Sequence, residues 1–174
     1  SLTLSDPSLP LLITGIAGVA GYNALHFFRQ RYPGRVLGIR PVKNWPLRGD
    51  SVQGCDVEDR NHLKRLFDQH EFAAVLNCSG NCALRACELD PQLAHKTNVR
   101  SVESLVDVIG GSVRLVHLSI DLVFSGSGAG GYNESAPTDP VTVYGKTMVQ
   151  AERIVLAARP DACILRISLP MGVS

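Results

Sequence analysis

No block of basic residues occurs anywhere in the chain, and its formal net charge is only +1. The electrostatic footprint that binding to nucleic acid or an anionic membrane requires is missing, so neither is an expected partner. A long hydrophobic run is lacking too. Residues 1–10 carry no basic n-region and the apolar stretch after them is short, so neither a secretory signal nor a spanning helix is read there. The expected location is the cytoplasm. Cysteines number five, an odd count scattered over a chain large enough not to need staples, which argues against a disulfide framework and for reduced thiols. Cys78, Cys82 and Cys87 lie close together, but their spacing fits no common zinc pattern and no histidine pair follows. No metal site is assigned, and small buried apolar side chains are the simpler reading. Internal repeats and low-complexity linkers are absent as well.

What is present is ordinary globular composition: 174 residues, 45% hydrophobic and 19% charged, enough for one domain with a core. Residues 1–10 read as an N-terminal extension and 11–174 as a single domain. Leu11 to Thr14 is a short apolar run ended by glycine, and Val19 to Arg31 then carries apolar residues at helical spacing. Strands are expected at Arg35 to Arg40, closed by Pro41, and at Ser51 to Cys55. Asp56-Val57-Glu58-Asp59 reads as a cap and acidic first turn for a helix reaching Gln69. Phe72 to Cys78 is a further buried strand. Asp90-Pro91 opens a helix whose apolar stripe continues to Ile109 before Gly110-Gly111. Val113 to Leu118 returns as strand, Ser125 to Gly131 is a glycine-rich loop, Val141 to Ala158 a helix and Ala162 to Ile167 a last strand. Strand and helix alternate throughout, the pattern of a parallel sheet covered on both faces. The predicted fold is a Rossmann-type doubly wound α/β/α sandwich.

The candidate site is the turn Thr14-Gly15-Ile16-Ala17-Gly18-Val19-Ala20-Gly21 between the first strand and the first helix. Its three glycines have separate tasks. One permits the sharp turn, one lets backbone approach a pyrophosphate drawn to the helix N-terminus, and one allows the helix to pack on the sheet. A dinucleotide is the ligand this context predicts. The residue about 20 positions past such glycines, at the end of the second strand, meets the ribose 2′ position. Here it is Arg40, whose guanidinium can pair with a 2′-phosphate, while the acidic residue that would accept a ribose hydroxyl is absent. NADP is therefore expected, with NAD the alternative, and Lys43 is placed beside Arg40.

The spacing TGxxGxxG has one more residue inside the turn than GxGxxG, and it resembles the short-chain dehydrogenase/reductase superfamily, especially the extended branch acting on nucleotide sugars. Further motifs sharpen the likeness: Asn77-Cys78-Ser79-Gly80, Ala86-Cys87-Glu88 and Asn98, then His117-Leu118-Ser119-Ile120-Asp121-Leu122-Val123-Phe124, Tyr132-Asn133-Glu134 and Val143-Tyr144-Gly145-Lys146-Thr147. Together they resemble the dTDP-4-dehydrorhamnose reductases and the regulatory β-subunits of methionine adenosyltransferase, from about Leu11 to Gly172. The resemblance implies a cofactor site that includes Asp56, Val57, Asn77, Cys78 and Ser79, with Asn98 as a catalytic asparagine or a structural amide. It also implies a nucleotide-sugar substrate near Ser119, Ile120, Asp121 and Tyr132, with Glu134 in the same loop. A homodimer is one option for its assembly.

In those reductases a tyrosine protonates the substrate carbonyl while NADPH delivers hydride, a lysine four residues on tunes the tyrosine and grips the ribose, and a Ser or Thr on the fifth strand binds the same carbonyl. Tyr144 matches the tyrosine. The lysine position, otherwise part of the cofactor site, is Met148, and the Ser/Thr position is Ile120. Met148 offers no charge and Ile120 no hydrogen bond. Lys146 cannot substitute, since two residues along a helix turn a side chain about 200° away, and Ser119 faces the other side of its strand. Two readings stand: hydride transfer with Tyr144 as proton donor, or a catalytically impaired cofactor-binding regulatory or scaffold subunit. Extended relatives continue into segments that build the sugar pocket, so a substrate lobe absent from or truncated in this sequence is also expected.

Overall fold

The computed structural model describes residues 8–80, 88–124 and 143–171, with backbone only for 120–124 and 168–171. Six strands form one sheet: β1 (Leu11–Thr14), β2 (Val36–Arg40), β3 (Val52–Gly54), β4 (Ala74–Asn77), β5 (Arg114–Phe124) and β6 (Cys163–Met171). Their order is β3-β2-β1-β4-β5-β6 and every adjacent pair is parallel. The chain thus builds outward on one side of β1, crosses over, and builds outward on the other, so the winding reverses between β1 and β4. Crevices at such reversals, beyond the carboxyl ends of the strands, are where open α/β sheets bind ligands.

Parallel pairing requires crossovers, and α1 (Val19–Arg31), α2 (Arg60–Gln69), α3 (Pro91–His95), α4 (Ser101–Val108) and α5 (Val143–Ala158) are the helices described between the strands. Alternation along β1 splits the core in two. Leu11 and Ile13 pack with Ile16 and Leu25 of the α1 side, whereas Leu12 packs with Leu63 and Leu66 of α2, Leu105 of α4 and Val155 of α5. Both faces of the sheet are covered, as expected for the Rossmann-type sandwich. Among the described residues no helix is long and apolar enough to cross a membrane.

Four local expectations are corrected. The cap of α2 is Asp59, whose carboxylate accepts the His62 N–H at 3.1 Å, so Asp56 to Asp59 precede the helix and its first turn holds no acidic residue. The helix expected to run unbroken from Pro91 to Ile109 is interrupted by a π-turn, Lys96–Arg100, and the Ser101 hydroxyl donates to Thr97 O at 2.5 Å beside it. The last two strands run past their predicted ends at Leu118 and Ile167, because β5 and β6 keep pairing in register as far as Phe124 and Met171. The strands β2, β3 and β4 start or stop a residue or two inside their predicted limits, while β1 spans its predicted residues. Val141, the predicted start of α5, and the loop Ser125 to Gly131 lie outside the described residues.

Candidate functional site

Past Thr14 the chain reverses at once. Gly15 takes φ +69°, a backbone region that favours glycine, and a Cβ there would lie 2.3 Å from the carbonyl oxygen of Cys78. A Cβ at Gly21 would lie 2.3 Å from Gly15 O, so the start of α1 can sit against the turn only because that position is bare. Gly18 caps α1 in an extended conformation and donates its N–H to Gly15 O at 3.1 Å. No side chain caps this helix and its first turn has no acidic residue, so the positive end of its dipole is left for an anion. Gly15, Ala17 and Gly18 line a cleft together with Arg40, Val57, Cys78 and Ser79. Ile16 is fully buried and anchors the turn by donating its N–H to Ile39 O, while Val19 is exposed and Ala20 half-buried.

Beneath the cleft, Thr14, Asn77 and His117 stand level on adjacent strands β1, β4 and β5. Their proton positions follow from which groups can only donate. The Thr14 Oγ1 accepts the N–H groups of Cys78 (3.0 Å) and Ser79 (3.2 Å), so its own proton goes to Asn77 Oδ1 at 2.5 Å. Asn77 Oδ1 also accepts from the Ser79 N–H and hydroxyl. A backbone N–H fixes that end of the amide as oxygen, so Nδ2 faces His117 and donates to Nδ1 at 3.0 Å. The imidazole is then neutral with its proton on Nε2, which is buried with no partner among the described residues. Burial pushes the ring down from about 6.5 to about 4, opposed by the Glu152 carboxylate. Thr14 and Asn77 therefore hold the glycine turn against the end of β4 from below. Burial likewise pushes the Cys78 thiol up to about 12; Cys55, also lining the cleft, reaches about 12 through burial and the carboxylates of Asp56, Asp59 and Glu58. Both behave as small apolar side chains, while Cys82 and Cys87 lie outside the described residues.

Arg40, another lining residue of the cleft, is engaged with its own loop. Its Nε donates to Leu47 O at 2.5 Å, and its Nη1 to Pro41 O at 3.1 Å and Val42 O at 3.4 Å. Lys43 is exposed on a short 3-10 turn, Val42–Asn44, beside a shallow depression shared with Ala17. Val57 reaches the cleft. Asp56 instead accepts the Val42 N–H at 3.0 Å and ties down the same loop.

The third group lies around the π-turn. Asn98 is buried there and donates from Nδ2 to Thr147 Oγ1 at 2.9 Å, which in turn donates to Tyr144 O at 2.8 Å. Its Oδ1 is buried without a hydrogen bond among the described residues, 3.2 Å from where a Cβ on Gly80 would stand. Tyr144 and Met148, one turn apart on α5, are buried with Ala94 in a small apolar cluster, and Lys146 is exposed. Ser119 is buried on β5, where Ile120 and Asp121 pair with Ile167 and Ser168 of β6. Tyr132 and Glu134 lie outside the described residues. Sequence reasoning quoted Gly80 and His117 within motifs but gave them no role, and it missed Thr97 and Ser101 in the cleft wall; these roles depend on strand register and on the π-turn.

Residues 10–172 match the family model of the RmlD substrate binding domain. A dTDP-4-keto-6-deoxy-D-glucose reductase of Streptomyces niveus is 31% identical over 86% of this chain and 48% of its own length. Methionine adenosyltransferase 2 subunit beta of Xenopus laevis is 29% identical over 95% of this chain and 48% of its own. Among solved structures, the dTDP-4-dehydrorhamnose reductase of Bacillus anthracis in complex with NADP superposes with a TM-score of 0.64 at 19% identity, over 94% of this chain and 55% of that one, a likeness of fold. The chain spans about half the length of these relatives. A family match over nearly the whole chain, carried on the glycine turn and the doubly wound sheet just described, makes this chain a member of the RmlD substrate binding domain family, within the extended short-chain dehydrogenase/reductases.

Proposed function

We propose that this chain forms the cofactor-binding part of an NADP-dependent reductase acting on a nucleotide-linked 4-keto sugar. One observation carries the reading. The turn Gly15 to Gly18, at a helix N-terminus whose first turn holds no acidic residue, lines the same cleft as Arg40, with Glu58 also in its wall. A diphosphate suits the first and a 2′-phosphate the second. The Bacillus anthracis relative with NADP bound supports the choice of cofactor. When bound, NADPH supplies the hydride. Of the chain's own residues, Tyr144 donates the proton to the carbonyl, Asn98 holds α5 through Thr147, and the segment from Ile120 with Tyr132 borders the sugar.

A second reading, a regulatory or scaffold subunit that binds cofactor without turning it over, is favoured by Met148. The side chain one turn from Tyr144 sits in a dry cluster and brings no charge to the phenol. Loss of a tuned general acid costs typically about 10² to 10⁴ in rate. Turnover of NADPH with a panel of 4-keto nucleotide sugars separates the two. For a weakened reductase, the double variant Met148→Lys/Ile120→Thr turns over faster than wild type, and Tyr144→Phe removes the gain. A brisk wild-type rate untouched by Tyr144→Phe refutes the assignment of Tyr144. No turnover by any folded, NADPH-bound variant favours the regulatory subunit.

A further inference from the structure

Arg40 pairs across the sheet with Gly54, the last residue of the three-residue strand β3. Glycine weakens a strand unless another group must approach its backbone closely. Here that group is the guanidinium: a Cβ on Gly54 would stand 2.7 Å from Arg40 Nη1 and 3.5 Å from its Cζ. The loop after β2 is wound around the same group, with the carbonyls of Pro41, Val42 and Leu47 all accepting from it. Asp56 closes the arrangement from the next segment through the Val42 N–H.

We propose that Gly54 is a specificity-determining position for the cofactor: its missing side chain is the seat that holds the Arg40 guanidinium, and the loop around it, at the rim of the cleft for a ribose 2′-phosphate. The proposal rests on the reading of Arg40 as partner of that phosphate. Gly54 does not have positive φ, so alanine strains no backbone there. The nearest obstacle to its Cβ is the far end of a long side chain, and the nearest backbone atom, Val42 Cα, is 3.6 Å away. The guanidinium is therefore what yields, and Nη1 leaves its two carbonyls.

Calorimetric titration of the full chain with NADPH and with NADH tests this in wild type, Gly54→Ala, Arg40→Ala and the double variant. Gly54→Ala is expected to weaken NADPH by about tenfold or more, the scale of one hydrogen bond to a charged group, and to leave NADH unchanged. In the Arg40→Ala background the same substitution should have no further effect on the NADPH-to-NADH ratio. A selective loss in Arg40→Ala with none in Gly54→Ala overturns the role of Gly54 and leaves that of Arg40 standing. Equal loss of both cofactors in Gly54→Ala, or failure of that variant to fold, overturns it as well, since something other than the guanidinium has then given way. If Arg40→Ala leaves the ratio unchanged, the reading of Arg40 fails and this proposal with it.

Discussion

Acid should destabilise this protein through one imidazole. His117 is about 1% exposed, and burial holds it down to about 4 from about 6.5. Between these values the unfolded chain takes up a proton that the folded chain refuses, so the unfolded state binds more protons and stability rises with pH. The contribution is fully present above about pH 6.5 and is lost as pH falls toward about 4. Shifts of this size are worth about 3 kcal/mol in all, and about 2 to 3 kcal/mol should be lost between about pH 7.5 and about pH 4.5. That is a large part of a typical domain's 5 to 15 kcal/mol, roughly. The perturbation is His117→Asn, which can still offer Asn77 an acceptor but never titrates. Urea unfolding followed by far-UV circular dichroism at several pH values gives stability against pH for both proteins. Carboxylates contribute equally to both curves, so their difference isolates His117. The wild-type curve should fall more steeply over this window; parallel curves would refute the neutral, buried imidazole and the proton positions derived for Asn77 and Thr14.

Thr14→Val keeps the side chain's shape but leaves the Cys78 N–H without its acceptor and Asn77 Oδ1 without the Thr14 proton. It should cost about 1 to 3 kcal/mol, read as a lower urea midpoint, and an unchanged midpoint would mean that the network does not hold the turn. Arg159 donates to the carbonyls of Ile109, Gly110, Gly111 and Val113 beyond the end of α5. Arg159→Leu removes these bonds, Gly110 O alone keeping a partner in the Val113 N–H, and should lower Tm by about 2 to 4 °C per kcal/mol lost, with a wild-type melting curve as the contrary result. Gly18→Val puts a branched side chain into the cleft wall at an extended helix cap and should abolish binding of NADPH and NADH alike with the fold retained by circular dichroism. Undiminished binding would remove the glycine turn as the cofactor site.

Much of this architecture follows from local periodicity, which a single sequence carries. Leu11 to Thr14 had to be a strand because an apolar run stops at glycine, and Val19 to Arg31 a helix because its spacing changes there. The turn was legible for a sharper reason: only glycine suits φ +69° at a place where a Cβ would stand 2.3 Å from another backbone, so the residue type itself reports the geometry. Boundaries set by longer-range pairing were not legible. β5 runs on to Phe124 because β6 accompanies it, and Asp59 caps α2 with no acidic first turn behind it, while Asp56 accepts the Val42 N–H across the loop. The functional details divide the same way. Arg40 could be placed at the end of β2 by counting from the glycines, but its three loop carbonyls and the seat at Gly54 depend on how β3 lies beside β2. His117 gave no sign of itself, since an imidazole's protonation is decided by burial and by Asn77, forty residues away and brought level only by the register of β4 on β5. The replacement of lysine by Met148 was readable as a change of chemistry; that it shares a dry pocket with Tyr144 and Ala94 was not, because packing between α3 and α5 is a property of the folded chain. Sequence determined which backbone conformations and which chemical groups were available, and tertiary structure decided which of those groups meet.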